Sequence, residues 1–260
     1  MTNLNFNRGA IDASGCIGKA WELVQRRLGM YIGVGLVAWL MISCIPCANL
    51  FLFGPVMGGF AFLVLRDLQN EPVEFGMLFK GFEKFMPLMV IGLIQIAPTI
   101  VFQIIQYAID FTRLGLISTG RNTDLYQSQS PEISPLLAGL TFGYIILFLG
   151  FIVFQVIWNA VFIFAVPLVL ENDIGTGEAL KLSMSAVFSN VGGLIVLMLL
   201  GALVAILGFI AFCFGLLVAI PVVWAANVVA YRQVFPTLDK VFHSTPPPPT
   251  SYGSSFGQGL

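Results

Sequence analysis

The chain has 260 residues, of which 58% are hydrophobic and only 10% charged, with a mean hydropathy of +0.92. Soluble domains carry about 25% charged residues, so this composition excludes a soluble globular protein and predicts an integral membrane protein built from apolar helices. The 12 basic and 13 acidic side chains nearly cancel, leaving no basic surplus to release counterions from nucleic acid, and nucleic-acid binding is excluded on that ground.

Residues 1–10, MTNLNFNRGA, are polar, and the stretch after them is amphipathic. It lacks the short apolar core and small-residue cleavage site of a leader, so no cleavable signal is expected. From Arg27 to Arg66 there are 38 intervening residues without Asp, Glu, Lys or Arg, which is room for two spans of about 20 residues each. Gly54-Pro55 is the expected break, because Pro is tolerated where a helix starts and not in its interior. The spans are placed at 30–52 and 54–66. A third follows at 85–109. A second uncharged run of 38 residues, Ile133 to Leu170, has no Pro-Gly or Asn-Gly signal at its middle, so one long tilted helix over 136–170 is expected, bent at Gly150. The last run, Leu182 to Tyr231, holds 50 residues and two spans, 191–210 and 216–232, with a turn at Cys213 to Gly215. The expected fold is therefore all-α and polytopic, a single membrane domain over 11–236 with six transmembrane helices. The segment 237–260, with four consecutive prolines and then Ser and Gly, is expected to be a disordered cytoplasmic tail. Its proline run is the kind of sequence a partner domain reads.

Six spans put ten of the twelve basic residues on one side, leaving only Arg113 and Arg121 on the other. The positive-inside rule then makes both termini cytoplasmic. A seventh span would reduce the contrast to seven against five.

Three segments with Gly followed four residues later by Lys lead into spans: Gly15 and Lys19, Gly76 and Lys80, Gly177 and Lys181. Ile17, Ala20, Trp21, Val24 and Leu28 recur at helical spacing in the first, and Phe75, Leu78, Phe79, Phe82 and Phe85 in the second. Three amphipathic helices lying in the membrane surface are expected, as positional anchors rather than lipid sensors. Pro55-Val56 precedes Arg66 by the same eleven residues that separate Pro221-Val222 from Arg232. The repeating unit reads as surface helix, span, Pro-started span, Arg, with a looser middle copy around Pro167.

Residues 165–190, AVPLVLENDIGTGEALKLSMSAVFSN, the closing VVWAANVVAYRQVF at 222–235, and segment 54–90 resemble a broad group of uncharacterised bacterial multi-pass inner-membrane proteins. That group is related to the membrane domain attached to some glycerophosphodiester phosphodiesterases. The resemblance implies a helical protein of the bacterial plasma membrane; it carries no catalytic residue to this chain, which lacks the Glu, Asp and His complement of a phosphodiesterase domain.

Polar residues inside the spans are the functional candidates. Gln95, Thr99, Gln103, Gln106 and Asp110 follow at intervals of 4, 4, 3 and 4, which confines them to about 80° of one helix face. Thr141, Tyr144, Gln155 and Asn159 form a second stripe on the fourth span, and Asn227 lies on the sixth. Two facing stripes read either as a polar path or headgroup groove, or as interhelical glue worth roughly 0.6 to 2 kcal/mol per bond. Pro98 frees the carbonyl of Ile94 beside the first stripe.

Gly29 and Gly33, Gly54 and Gly58, and Gly139 and Gly143 share Gly-x-x-x-Gly spacing, and Gly201, Gly208 and Gly215 recur at seven. Such spacing serves close packing within the chain or self-association. Cys44 and Cys47 form a Cys-x-x-Cys pair suited to redox exchange or half a metal site. Cys16 and Cys213 are distant, and His243, the one histidine, is in the tail. No metal, cofactor or catalytic motif is expected. The favoured reading is a non-enzymatic membrane scaffold or accessory component, with the bilayer, a membrane-protein partner or a second copy as its contacts. The alternative is a transporter, channel or lipid-binding protein using the two stripes.

Overall fold

In the computed structural model, residues 6–43, 48–120, 133–172, 174–211 and 214–236 are described. They form nine α-helices: α1 (Ala13–Arg26), α2 (Leu28–Ser43), α3 (Ala48–Leu68), α4 (Phe85–Gly120), α5 (Ile133–Phe162), α6 (Ala165–Asn172), α7 (Thr176–Ser189), α8 (Val191–Ile210) and α9 (Phe214–Val234), with a 3₁₀ helix at Phe75–Lys84. The protein is all-α, and five segments are long and apolar enough to cross a membrane: Asn49–Leu68, Phe75–Thr112, Thr141–Asn172, Val191–Ile210 and Gly215–Val234. The apolar α2 has 16 residues, or about 24 Å of helix at 1.5 Å per residue.

The long helices pair as three hairpins, α2 with α3, α4 with α5, and α8 with α9. Each begins and ends at the same end of the bundle. Arg26, before α2, pairs with Asp67 at the end of α3 at 2.9 Å. Lys84, before α4, donates to the carbonyls of Val169 and Leu170 in α6 at 2.9 and 2.8 Å. Asp12 N–H, before α1, donates to Gln233 Oε1 in α9 at 2.8 Å. Asn190, between α7 and α8, accepts from Ala10 N–H at 2.9 Å and donates to the carbonyls of Asn7 and Ala186 at 3.2 and 2.8 Å.

Local chemistry sets the helix limits. Asp12 caps α1 by accepting from Gly15 N–H at 3.1 Å and from the Ser14 hydroxyl at 2.8 Å. Those two donors, the Gly15 amide foremost, hold its carboxyl below the usual range. The buried face of α1, with Cys16, Ala20, Leu23 and Val24, packs on α8 and α9, while Trp21 is exposed. The expected apolar stripe is therefore divided between protein and surroundings. Burial pushes the Cys16 thiol up to about 12, and its Sγ donates to Gln233 Oε1 of α9 at 3.4 Å.

Several boundaries differ from expectation. The helix α2 ends at Ser43 and α3 begins at Ala48, and Pro55 lies inside α3, as Pro221 lies inside α9. Neighbouring helices and local backbone adjustment accommodate proline in apolar helices, so it does not mark the break here. The second amphipathic segment is a 3₁₀ helix. The third span continues as helix through Gly120. The fourth apolar segment is two helices, broken at Ile163 and Phe164 rather than bent at Gly150. Pro167 sits in the first turn of α6, where the absent N–H removes no intrahelical bond.

The core lies where α3 meets α2, α9 and the 3₁₀ helix. Tyr31, Phe60 and Trp224 stack edge to face through α2, α3 and α9, with centroids 6.3 and 5.3 Å apart. A Cβ on Gly59 would overlap the Leu78 carbonyl, one on Gly81 the Pro55 carbonyl, and one on Gly54 the Leu88 carbonyl. Gly54 and Gly58 thus serve packing within the chain, as do Gly201 and Gly208 against Val223 and Ala219 of α9. A Cβ on Gly139 or Gly143 would meet nothing within 4 Å.

Candidate functional site

The two polar stripes face each other across α4 and α5, and their side chains bond to one another. Gln95 Nε2 donates to Asn159 Oδ1 at 2.8 Å, Gln155 Nε2 to Thr99 Oγ1 at 3.0 Å, and Gln106 Nε2 to the Tyr144 hydroxyl at 2.8 Å. Asn159 Nδ2 donates to the Gln155 carbonyl at 2.8 Å and Trp158 Nε1 to the Gln95 carbonyl at 3.0 Å. Apolar contact continues the seam: Phe102 stacks on Phe151 with centroids 3.9 Å apart. The chain builds this ladder because intervals of three and four keep polar groups on one face of each antiparallel helix. Away from water, an amide without a partner costs about 1–3 kcal/mol, so the facing amides satisfy each other.

Not every candidate joins. Gln103 and Asp110 are exposed on α4 and take no part in these bonds, and Thr141 is exposed on α5. Asn227 of α9 takes no part in these bonds and lines, with Gln95, Gln155 and Asn159, a cavity of about 650 Å³. Cys44 and Cys47 lie outside the described residues, as do Cys213 and the tail from 237.

The cavity exists because α5 packs on α4, α6 and α7 whereas α8 packs on α1, α7 and α9, leaving space between α5 and α8. Phe148, Leu197 and Trp224 give it apolar walls, and Gln95, Gln155, Asn159 and Asn227 supply polar points. Among the described residues no Lys, Arg, Asp or Glu lines it. Gln155 Oε1 is buried and has no hydrogen-bond partner among the described residues.

Two charged clusters at the shared end of the hairpins were not anticipated from sequence. Asp67 is fully buried; it accepts from Arg26 at 2.9 Å and from the Tyr31 hydroxyl at 2.8 Å, with Arg27 Nε at 3.7 Å. Glu171 of α6 is bound by Arg232 in a two-point contact, one bond at 2.9 Å, and by the Tyr231 hydroxyl at 2.8 Å. Each joins a carboxylate, an arginine and a tyrosine across helices. Their sequence signal is faint: Asp67 and Glu171 each end an apolar run, but their partners lie 36 to 61 residues away. Among the described residues no three His, Cys, Asp or Glu side chains gather into a metal-binding group.

Comparison with known proteins returns no matching family model, no matching curated protein and no matching solved structure.

Proposed function

We propose that the protein is a non-enzymatic scaffold or accessory component of the bacterial plasma (inner) membrane. The reading rests on one observation: Gln95, Thr99 and Gln106 of α4 are engaged with Asn159, Gln155 and Tyr144 of α5 in a ladder, where a conduit needs such side chains turned toward water. The outer part of that hairpin supports it, since Val101, Ile104, Phe111, Ile146, Val153 and Ile157 are exposed apolar side chains offered to lipid or a membrane-protein partner.

The bacterial assignment comes from the resemblance of residues 54–90, 165–190 and 222–235 to multi-pass inner-membrane proteins. We read six crossings, α2 included, with both termini cytoplasmic. The shared end of the three hairpins supports this, because Arg26, Arg27, Lys84 and Arg232 gather there and basic residues mark the cytoplasmic face. An internal repeat pairs α1, α2 and α3 with α7, α8 and α9. Its support is that α3 and α9 each have 21 residues, with proline at the eighth position and arginine at the nineteenth. The short helices α1 and α7 and the 3₁₀ helix then act as interfacial anchors.

Direct extraction of the full chain into native nanodiscs, followed by mass spectrometry, tests the scaffold reading. A stoichiometric protein absent from an unrelated six-span control is expected; particles holding only this chain and lipid would contradict it. The second reading, a lipid-binding or transport protein, is favoured by the cavity and by the position of Asn227 on its wall.

A further inference from the structure

The space between α5 and α8 has a chemistry that selects its occupant. At about 650 Å³, with roughly 30 Å³ for a group the size of water, it holds on the order of 20 methylene-sized groups, the bulk of one long acyl chain. Its walls are mostly apolar, and a helix pair that fails to close over them leaves the cavity open to a chain entering from the bilayer. Ile152 and Val156 on α5 and Ala202 on α8 line it while remaining exposed. With no charged side chain among the described residues of the lining, a phosphate or carboxylate drawn inside would lose its hydration and gain no counter-charge from them.

The polar points set the headgroup. Gln155 Oε1 is a buried acceptor without a donor among the described residues, and Asn227 offers amide hydrogens and a carbonyl from the α9 side. The last torsion of a glutamine is broad, so the Gln155 amide can turn its oxygen toward an arriving donor without movement of α5, exchanging the bond from its Nε2 to Thr99 Oγ1 for the one to the ligand. Both residues are uncharged amides, so they favour a headgroup that hydrogen-bonds without charge, and a hydroxyl can donate to the Gln155 oxygen.

We infer that the α5–α8 cavity binds one neutral single-chain lipid whose headgroup bears a hydroxyl, a monoacylglycerol being the simplest of that class. The inference goes beyond the scaffold reading and does not rest on it, since Val101, Ile104, Phe111, Ile146, Val153 and Ile157, the α4–α5 side chains offered to a partner, do not line the site.

The test uses the full chain in phosphatidylcholine nanodiscs, with 1-monooleoylglycerol as probe and native mass spectrometry as readout. Saturable binding of one probe per chain is expected. Ala202→Phe, which fills the cavity from an exposed position, should abolish it, and Val156→Phe should do the same from the opposite wall. Gln155→Leu should weaken binding at least tenfold. Helical content and elution volume establish that each variant is folded. Absence of saturable binding to the wild-type chain would overturn the inference, as would equal binding by wild type and both folded phenylalanine variants. Tighter binding of lysophosphatidylglycerol than of 1-monooleoylglycerol would also overturn it, by showing that the site takes an anionic headgroup.

Discussion

Replacing Asp67 with Ala is expected to lower the stability of the protein by about 3 kcal/mol, at the lower end of the range for breaking buried charge pairs. Asp67 is completely buried at the end of α3 and joins α1, through Arg26 and Arg27, to α2, through Tyr31. Truncation leaves the buried Tyr31 hydroxyl without its acceptor, at a cost of about 1–3 kcal/mol. The two arginines lose charge-assisted bonds but are partly exposed and recover hydration, which keeps the total from reaching the upper end. Asp67→Asn, which retains an acceptor for Tyr31, should cost less. In the pair Tyr31→Phe and Asp67→Ala, the double variant should be more stable than the sum of the two single losses predicts. Thermal unfolding in detergent measures all three; an unchanged midpoint for Asp67→Ala would show that this cluster does not hold the helices together.

Gly59→Val should be at least as damaging. The first side-chain atom would overlap the Leu78 carbonyl, and because that neighbour is backbone rather than a flexible side chain, α3 and the 3₁₀ helix must separate. Overpacking typically costs about 1–3 kcal/mol where side chains can yield, and more is expected where they cannot. Gly18→Ala is the matched control. It sits within α1 with nothing within 4 Å of the added atom, so relief of glycine's backbone entropy should stabilise the helix by up to about 1 kcal/mol. Yield of monodisperse protein and its unfolding midpoint separate the two cases, and a Gly59→Val variant that matches wild type would contradict the close approach of these backbones.

What the sequence made legible follows from the range over which each signal acts. The stripes of Gln95, Thr99 and Gln106, and of Tyr144, Gln155 and Asn159, are local patterns of period 3.6, and they do face each other. Their fate as bonded pairs depends on a register between residues 38 to 64 positions apart, which periodicity does not contain. Asp110 and Gln103 fit the stripe equally well and stay outside the ladder. Pro55 was a misleading boundary because the rule against interior proline is weaker in helices with apolar neighbours. The third span is expected to end at 109, yet α4 continues as helix through Gly120. The Tyr31–Asp67 cluster and the cavity were invisible for one reason: both arise from how helices pack, and neither has a local pattern.

The central claim is that the facing stripes fasten α4 to α5 and do not line a wet path. Thr99→Cys and Gln106→Cys, made singly in a chain whose Cys16, Cys44, Cys47 and Cys213 are replaced by alanine, test it through reaction with a membrane-impermeant maleimide offered from both sides of sealed vesicles. Neither cysteine should be labelled, while Lys80→Cys, at an exposed position on the 3₁₀ helix, should react readily. Labelling at 99 and 106 at rates near that of position 80 would contradict the account and make the α4–α5 seam a conduit for water.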